Sequence, residues 1–207
     1  KYELTDIYKT APNGETLYRI RALETFTNEA TNIEIRAGQL GGFVQSESNL
    51  SQDGTCWVNT NAQVYGNARI NSNAFITGNT QVYGNSCIYG KAFVSGNAKI
   101  YDDTCIDGNC YIRENAVISE NAHIGGYASI SGNARIYGDA NVTGGAIVTG
   151  NAHIFGEAYI NSSSYISGEA IVCGKAQIIE NTEISTGIHD GTAAPAQITM
   201  QSQSLEM

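Results

Sequence analysis

The chain has 207 residues, with 11 Lys and Arg against 20 Asp and Glu for a formal charge of −9. That length supports one domain with a substantial core. The mild acidity, spread along the chain, excludes a nucleic-acid binder held by phosphate contacts, which needs a basic stripe.

The opening residues, Lys1-Tyr2-Glu3-Leu4-Thr5-Asp6, carry no apolar run of the signal-peptide kind, and no stretch approaches membrane-spanning length. The 5 cysteines fall at irregular positions and do not make a secreted disulfide framework. The expectation is a cytoplasmic protein without a membrane partner. Residues 1–43 read as an N-terminal capping segment. Within it, residues 2–10 and 17–26 are strand-like and flank Ala11-Pro12-Asn13-Gly14, a turn signal that predicts a β-hairpin.

Residues 44–186 are a repeat. Val44 and Leu50 are six apart, a wider corner at residues 51–54 intervenes, and from Val58 every sixth residue is Val or Ile without exception through Ile184. Two positions before each stands a small residue, such as Ala62, Ala68 or Cys110; two positions after it glycine is usual, often followed by asparagine. Side chains alternate across a strand, so the small residue and the aliphatic share one face, and that face points inward. The β-branched residue suits a strand. Gly-Asn suits the corner, since glycine reaches positive φ without strain. Six residues make one strand and one corner, and three sides close a triangular coil of about 18 residues, with coils at about the strand spacing of 4.8 Å. A 3.6-residue helix would scatter these aliphatics around its axis. The predicted fold class is all-β, a single-stranded parallel β-helix, its interior too tightly filled for a ligand. Residues 187–207 read as a C-terminal tail or cap.

The repeat resembles the left-handed parallel β-helix superfamily that includes the hexapeptide-repeat acyltransferases. The opening Gly41-Gly42-Phe43-Val44-Gln45-Ser46 through Cys56-Trp57-Val58, followed by Val-Tyr-Gly-Asn-Ala units, is more specifically similar to the YdcK-like proteins. That resemblance spans roughly residues 17–186. It implies a left-handed coil and a bacterial, often phage-associated setting, and it carries the label of transferase. Because one fold hosts many functions, the resemblance does not fix an activity.

Function must then lie on the outer positions. At 18-residue spacing one outward column reads Tyr65, Tyr83, Tyr101, Ser119, Tyr137, Phe155, Cys173; another reads Trp57, Phe75, Phe93, Tyr111, Ser129, Ile147, Tyr165. The aromatics of both columns are either in-register stacks that stabilise neighbouring coils or a contact surface. As a surface they would serve self-association, a trimer being favoured, then a protein partner, then carbohydrate stacking. The histidines His123, His153 and His189 bear on catalysis. His123 and His153 are candidate acyltransferase bases, weighed against the reading of solvated surface histidines without a carboxylate orienter in sequence reach. Cys87, Cys105 and His123 share one column on successive coils. They are candidate zinc ligands, against two free thiols and a histidine brought together by chance. No cofactor is called for. The leading expectation is a non-catalytic scaffold or binding protein, in one version acting on a host system. The runner-up is an acyltransferase with a site between subunits.

Overall fold

The computed structural model describes residues 1–192. The chain forms a parallel β-solenoid of about eight coils with three flat faces. From Trp57–Val58 to Glu183–Ile184 a two-residue strand recurs at every sixth residue. Each strand is short because a corner follows at once. Most corner residues two after the aliphatic have positive φ, as at Gly84 (φ 73°) and Gly96 (φ 76°).

The strands sort by threes into parallel sheets. The first face continues from Gln63–Val64 through Gln81–Val82 to Ile171–Val172; the second runs from Arg69–Ile70 to Gln177–Ile178; the third runs from Trp57–Val58 to Glu183–Ile184. Pairing is in strict register, with Val82 opposite both Val64 and Ile100. Every aliphatic therefore stacks on its own kind. Together with alanines such as Ala98, Ala116 and Ala134, these residues form one continuous core, almost all of it fully buried. Burying a Val or Ile side chain contributes roughly 1.5–3 kcal/mol, and the column repeats that gain coil after coil.

The N-terminal segment is built into this frame. Tyr2–Thr10 pairs antiparallel with Thr16–Ala22, closed by a turn in which the Gly14 amide donates to the Ala11 carbonyl at 2.9 Å. Thr16–Ala22 pairs antiparallel with Leu40–Val44, which joins Gln63–Val64 in parallel and so begins the first face. Gly41 is required here: a Cβ on it would lie 2.6 Å from Ile20, from the Trp57 ring and from the Val58 carbonyl oxygen. Leu50 stands beside Ile70 in a single parallel bridge, and a short 3-10 turn, Glu47–Asn49, precedes it. Asn49 closes that corner, its buried side chain donating to the carbonyls of Gly66 and Ala68.

A second small ribbon, Phe26–Thr27 against Glu34–Ile35, lies over the start of the third face. Phe26 meets Trp57 edge-on at 5.7 Å. The buried Asn28 pins the ribbon by donating to the carbonyls of Thr55 and Asn73. At the other end the first face gains one strand beyond the six-residue series. Ile188–His189 pairs with Ile171–Val172, and the Gly187 carbonyl accepts from the Ile171 amide at 2.9 Å. Of the expected C-terminal segment, residues 193–207 lie outside the described residues.

Corner asparagines have a role beyond turning the chain. Asn61, Asn79, Asn97, Asn115, Asn133 and Asn151 stand one above another, each Nδ2 donating to the side-chain oxygen of the next coil. The distances tighten from 3.5 Å at Asn61 to 2.6 Å where Asn151 donates to Glu169. A shorter run on the next corner goes from Asn67 to Asn85 to Asp103, and another from Asn121 to Asp139.

Candidate functional site

The tyrosine column belongs to the first face. Tyr65 stacks on Tyr83 and Tyr83 on Tyr101, both with centroids 5.0 Å apart and rings within 6° of parallel. Tyr137 stacks on Phe155 at 4.9 Å. The buried Ser119 interrupts the column, leaving two separate stacks. Tyr65 itself lies under the hairpin with Ala11, Leu17 and Phe43 and is only 4% exposed, so it offers no contact surface. Burial first, and the neighbouring Tyr83 second, push the Tyr65 phenol up to about 12. A phenol whose folded value is raised favours the fold fully below its unfolded value near 10. That contribution is lost as pH rises through the window from about 10 to 12. Thermal melts across that range should fall with pH, and Tyr65→Phe, which keeps the stack, should flatten part of the fall. An unchanged slope would remove Tyr65 as its source.

The second aromatic column divides along the third face. Trp57 and Phe75 are fully buried beneath the Phe26 ribbon and cannot meet a partner. Phe93 stacks on Phe75 at 6.0 Å and is half-buried. Beyond the ribbon the column reaches solvent: Tyr111, Ile147 and Tyr165 are 46%, 41% and 40% exposed. Tyr127, on the adjoining corner, is more exposed still. Only this C-terminal half of the column remains available as a surface.

The second face carries the densest set of reactive groups. Cys105 and Asp107 flank the buried Ile106 and so both point outward, Cys105 on the two-residue strand and Asp107 immediately after it. His123 pairs in register with Cys105 one coil on. The His123 Nε2 stands 3.1 Å from Asp107 Oδ2, and the Tyr89 hydroxyl donates to the same oxygen at 3.1 Å while lying 3.6 Å from Cys105 Sγ. Ligand atoms of Cys105, Asp107 and His123 all lie within 4.8 Å of one another. The Tyr89 phenol is raised far above its ordinary range, by its bond to Cys105 first, then by burial and by Asp107.

Two sequence expectations change here. His123 does have a carboxylate partner: Asp107 is distant along the chain but adjacent across the coils. The metal-type cluster joins Cys105 and His123 with Asp107 rather than with Cys87. Cys87 shares the column and pairs with Cys105, but it lies outside that grouping, its thiol accepting from Asn71 Nδ2 at 3.8 Å. All five cysteines are free thiols. His153 has no comparable setting and meets the Tyr137 ring edge-on at 6.5 Å. His189 sits on the terminal strand and contacts the Thr186 carbonyl.

Two open concavities among the described residues lie apart from His123 and His153. One runs between the hairpin turn at Pro12 and Asn13 and the residues Tyr65, Gln81, Tyr83 and Lys99; another is at Glu183, Ser185 and His189. Among the described residues, no helix is long and apolar enough to cross a membrane. The model of the YdcK β-solenoid repeat family matches residues 62–78 and 134–150, two stretches of the same six-residue pattern. The chain is a β-solenoid that carries the YdcK-type repeat. No curated protein matches it. Both matched stretches consist of core and corner positions together with a few outward residues, and neither contains Cys105, Asp107 or His123.

Proposed function

We propose that this solenoid is a non-catalytic scaffold or binding protein whose third face packs against further copies of itself, a trimer being the favoured assembly. The supporting observation is the row Tyr111, Ile147 and Tyr165, exposed in register on a flat face. Beside that row runs a mostly small polar column, Ser95, Arg113, Ser131, Thr149 and Ser167, in which Arg113 lies against the Tyr111 ring and the stretch from Ser131 to Ser167 lets a second flat surface approach closely. Large side chains standing above a floor of small ones suit an interface core with a polar rim. The phage-associated, host-directed version of this role rests on the family resemblance alone.

The test is solution mass by light scattering. The native chain should run at a multiple of 22.1 kDa, and Tyr111→Ser with Tyr165→Ser should shift it to the monomer with the far-ultraviolet circular dichroism of the solenoid unchanged, its melting temperature losing the concentration dependence of an oligomer. A native protein that stays monomeric at all concentrations and captures no partner through this face would overturn the reading. One observation favours a second reading, an acyltransferase with a site between subunits: the Asp107 carboxylate stands 3.1 Å from the His123 Nε2, where it can orient the ring of a general base. An acyl-CoA-dependent activity that His123→Ala abolishes would establish that reading in place of the first.

A further inference from the structure

We propose that Cys105, Asp107 and His123 form a zinc site on the second face, separate from the third-face interface. The three side chains offer a thiolate, a carboxylate and an imidazole, each a common zinc ligand. Cys105 and His123 project from the same outer surface of paired strands on two successive coils, with Asp107 one residue past the first of them. Zinc holds sulfur at about 2.3 Å and nitrogen or oxygen at about 2.0–2.2 Å in a tetrahedron. Ligand atoms already within 4.8 Å of one another need only side-chain rotation to reach that geometry.

Three further features belong to such a site. Gly125 follows His123 at the outward position next to Asp107, where a Cβ would come within 2.7 Å of Asp107 Oδ1 and 3.2 Å of the His123 ring. Glycine therefore leaves open the space that a water, as fourth ligand, would enter. Tyr89 already bonds Asp107, which makes it the supporting group that orients a ligating carboxylate. On the coil beyond, Asn141 pairs in register with His123, and its Oδ1 is buried without a hydrogen-bond partner. Zinc on the Nε2 of His123 fixes the ring proton on Nδ1, which makes that nitrogen a donor. Binding releases the thiol proton of Cys105 to solvent and changes no oxidation state.

The probes are zinc chloride, titrated into reduced, chelator-stripped protein against a competing chelating dye, and cobalt(II) as a spectroscopic substitute. The expected result is one zinc per chain and a thiolate-to-cobalt charge-transfer band. Cys105→Ser should abolish the band. His123→Ala and Asp107→Asn should each weaken zinc at least about tenfold, while Cys87→Ser leaves affinity and band unchanged. All four positions face outward, so unchanged melting curves of the metal-free variants show that the fold survives. A native protein without the cobalt–thiolate band overturns the proposal, leaving a hydrogen-bonded Tyr89–Asp107–His123 network. So does a His123→Ala variant that binds zinc as tightly as the native chain. Neither result bears on the third-face interface, which is read from solution mass.

Discussion

Ile118→Ala is expected to cost about 2–5 kcal/mol, the range for removing most of a buried aliphatic from a core that cannot collapse around the gap. Ile118 is fully buried, with Ile100 below and Ile136 above in register. The strands hold these neighbours at fixed spacing, so little relaxation is open to them. The same change at Ile178, which is only partly buried near the end of the second face, should cost much less. Urea unfolding of the two variants measures the difference. Equal losses would mean that packing is not what the column supplies. In a solenoid each coil contacts only its neighbours, so the central change should also loosen the coupling between the two ends and broaden the transition.

Gly96→Val should rank with it, at roughly 3 kcal/mol or more. A side chain at φ 76° carries about 1–2 kcal/mol of left-handed strain on its own. Added to that is close approach. A Cβ at Gly96 would sit 2.6 Å from the Glu114 amide nitrogen and 2.7 Å from its carbonyl oxygen, both backbone atoms that can yield only by parting two coils. Gly14→Ala is the control, because Gly14 also has positive φ (90°) but nothing within 4 Å of the added carbon. It should show the conformational strain alone. If both variants lost the same stability in thermal melts, coil-to-coil contact at the corner would contribute nothing.

Much of this was legible from spacing. The unbroken Val and Ile series gave the solenoid, its three faces and its in-register core, because one inward aliphatic per six residues admits no other periodic solution. The turn at Pro12–Gly14 gave the hairpin. Relations set by coverage were hidden. Nothing in the column Trp57, Phe75, Phe93, Tyr111 says that the ribbon around Phe26 will bury its first two members and leave the fourth exposed. Asp107 was missed for a different reason. It sits on the far side of Ile106 from Cys105, so a search down one column at 18-residue spacing passes it by, whereas its carboxylate reaches across to His123. A search pairing both outward positions of neighbouring coils would have found it. The corner asparagines were read as turn formers, although their recurrence at 18-residue spacing, with Asp or Glu at the end of each run, was a signal for stacking.

That last pattern gives the rod a sense of direction. Every amide in a run hands its hydrogen bond onward toward the C-terminus, and a carboxylate can receive such a bond but has no proton with which to pass one on. Asp103, Asp139 and Glu169 therefore act as full stops, each closing the phrase that the asparagines before it began. The coils themselves continue past each of these acids, as where the Glu169 amide donates to the Ser185 carbonyl, so what ends there is only the side-chain ladder. The corners thus carry a segmented chain of amides laid along an unbroken backbone ladder, each segment with a donor end and an acceptor end.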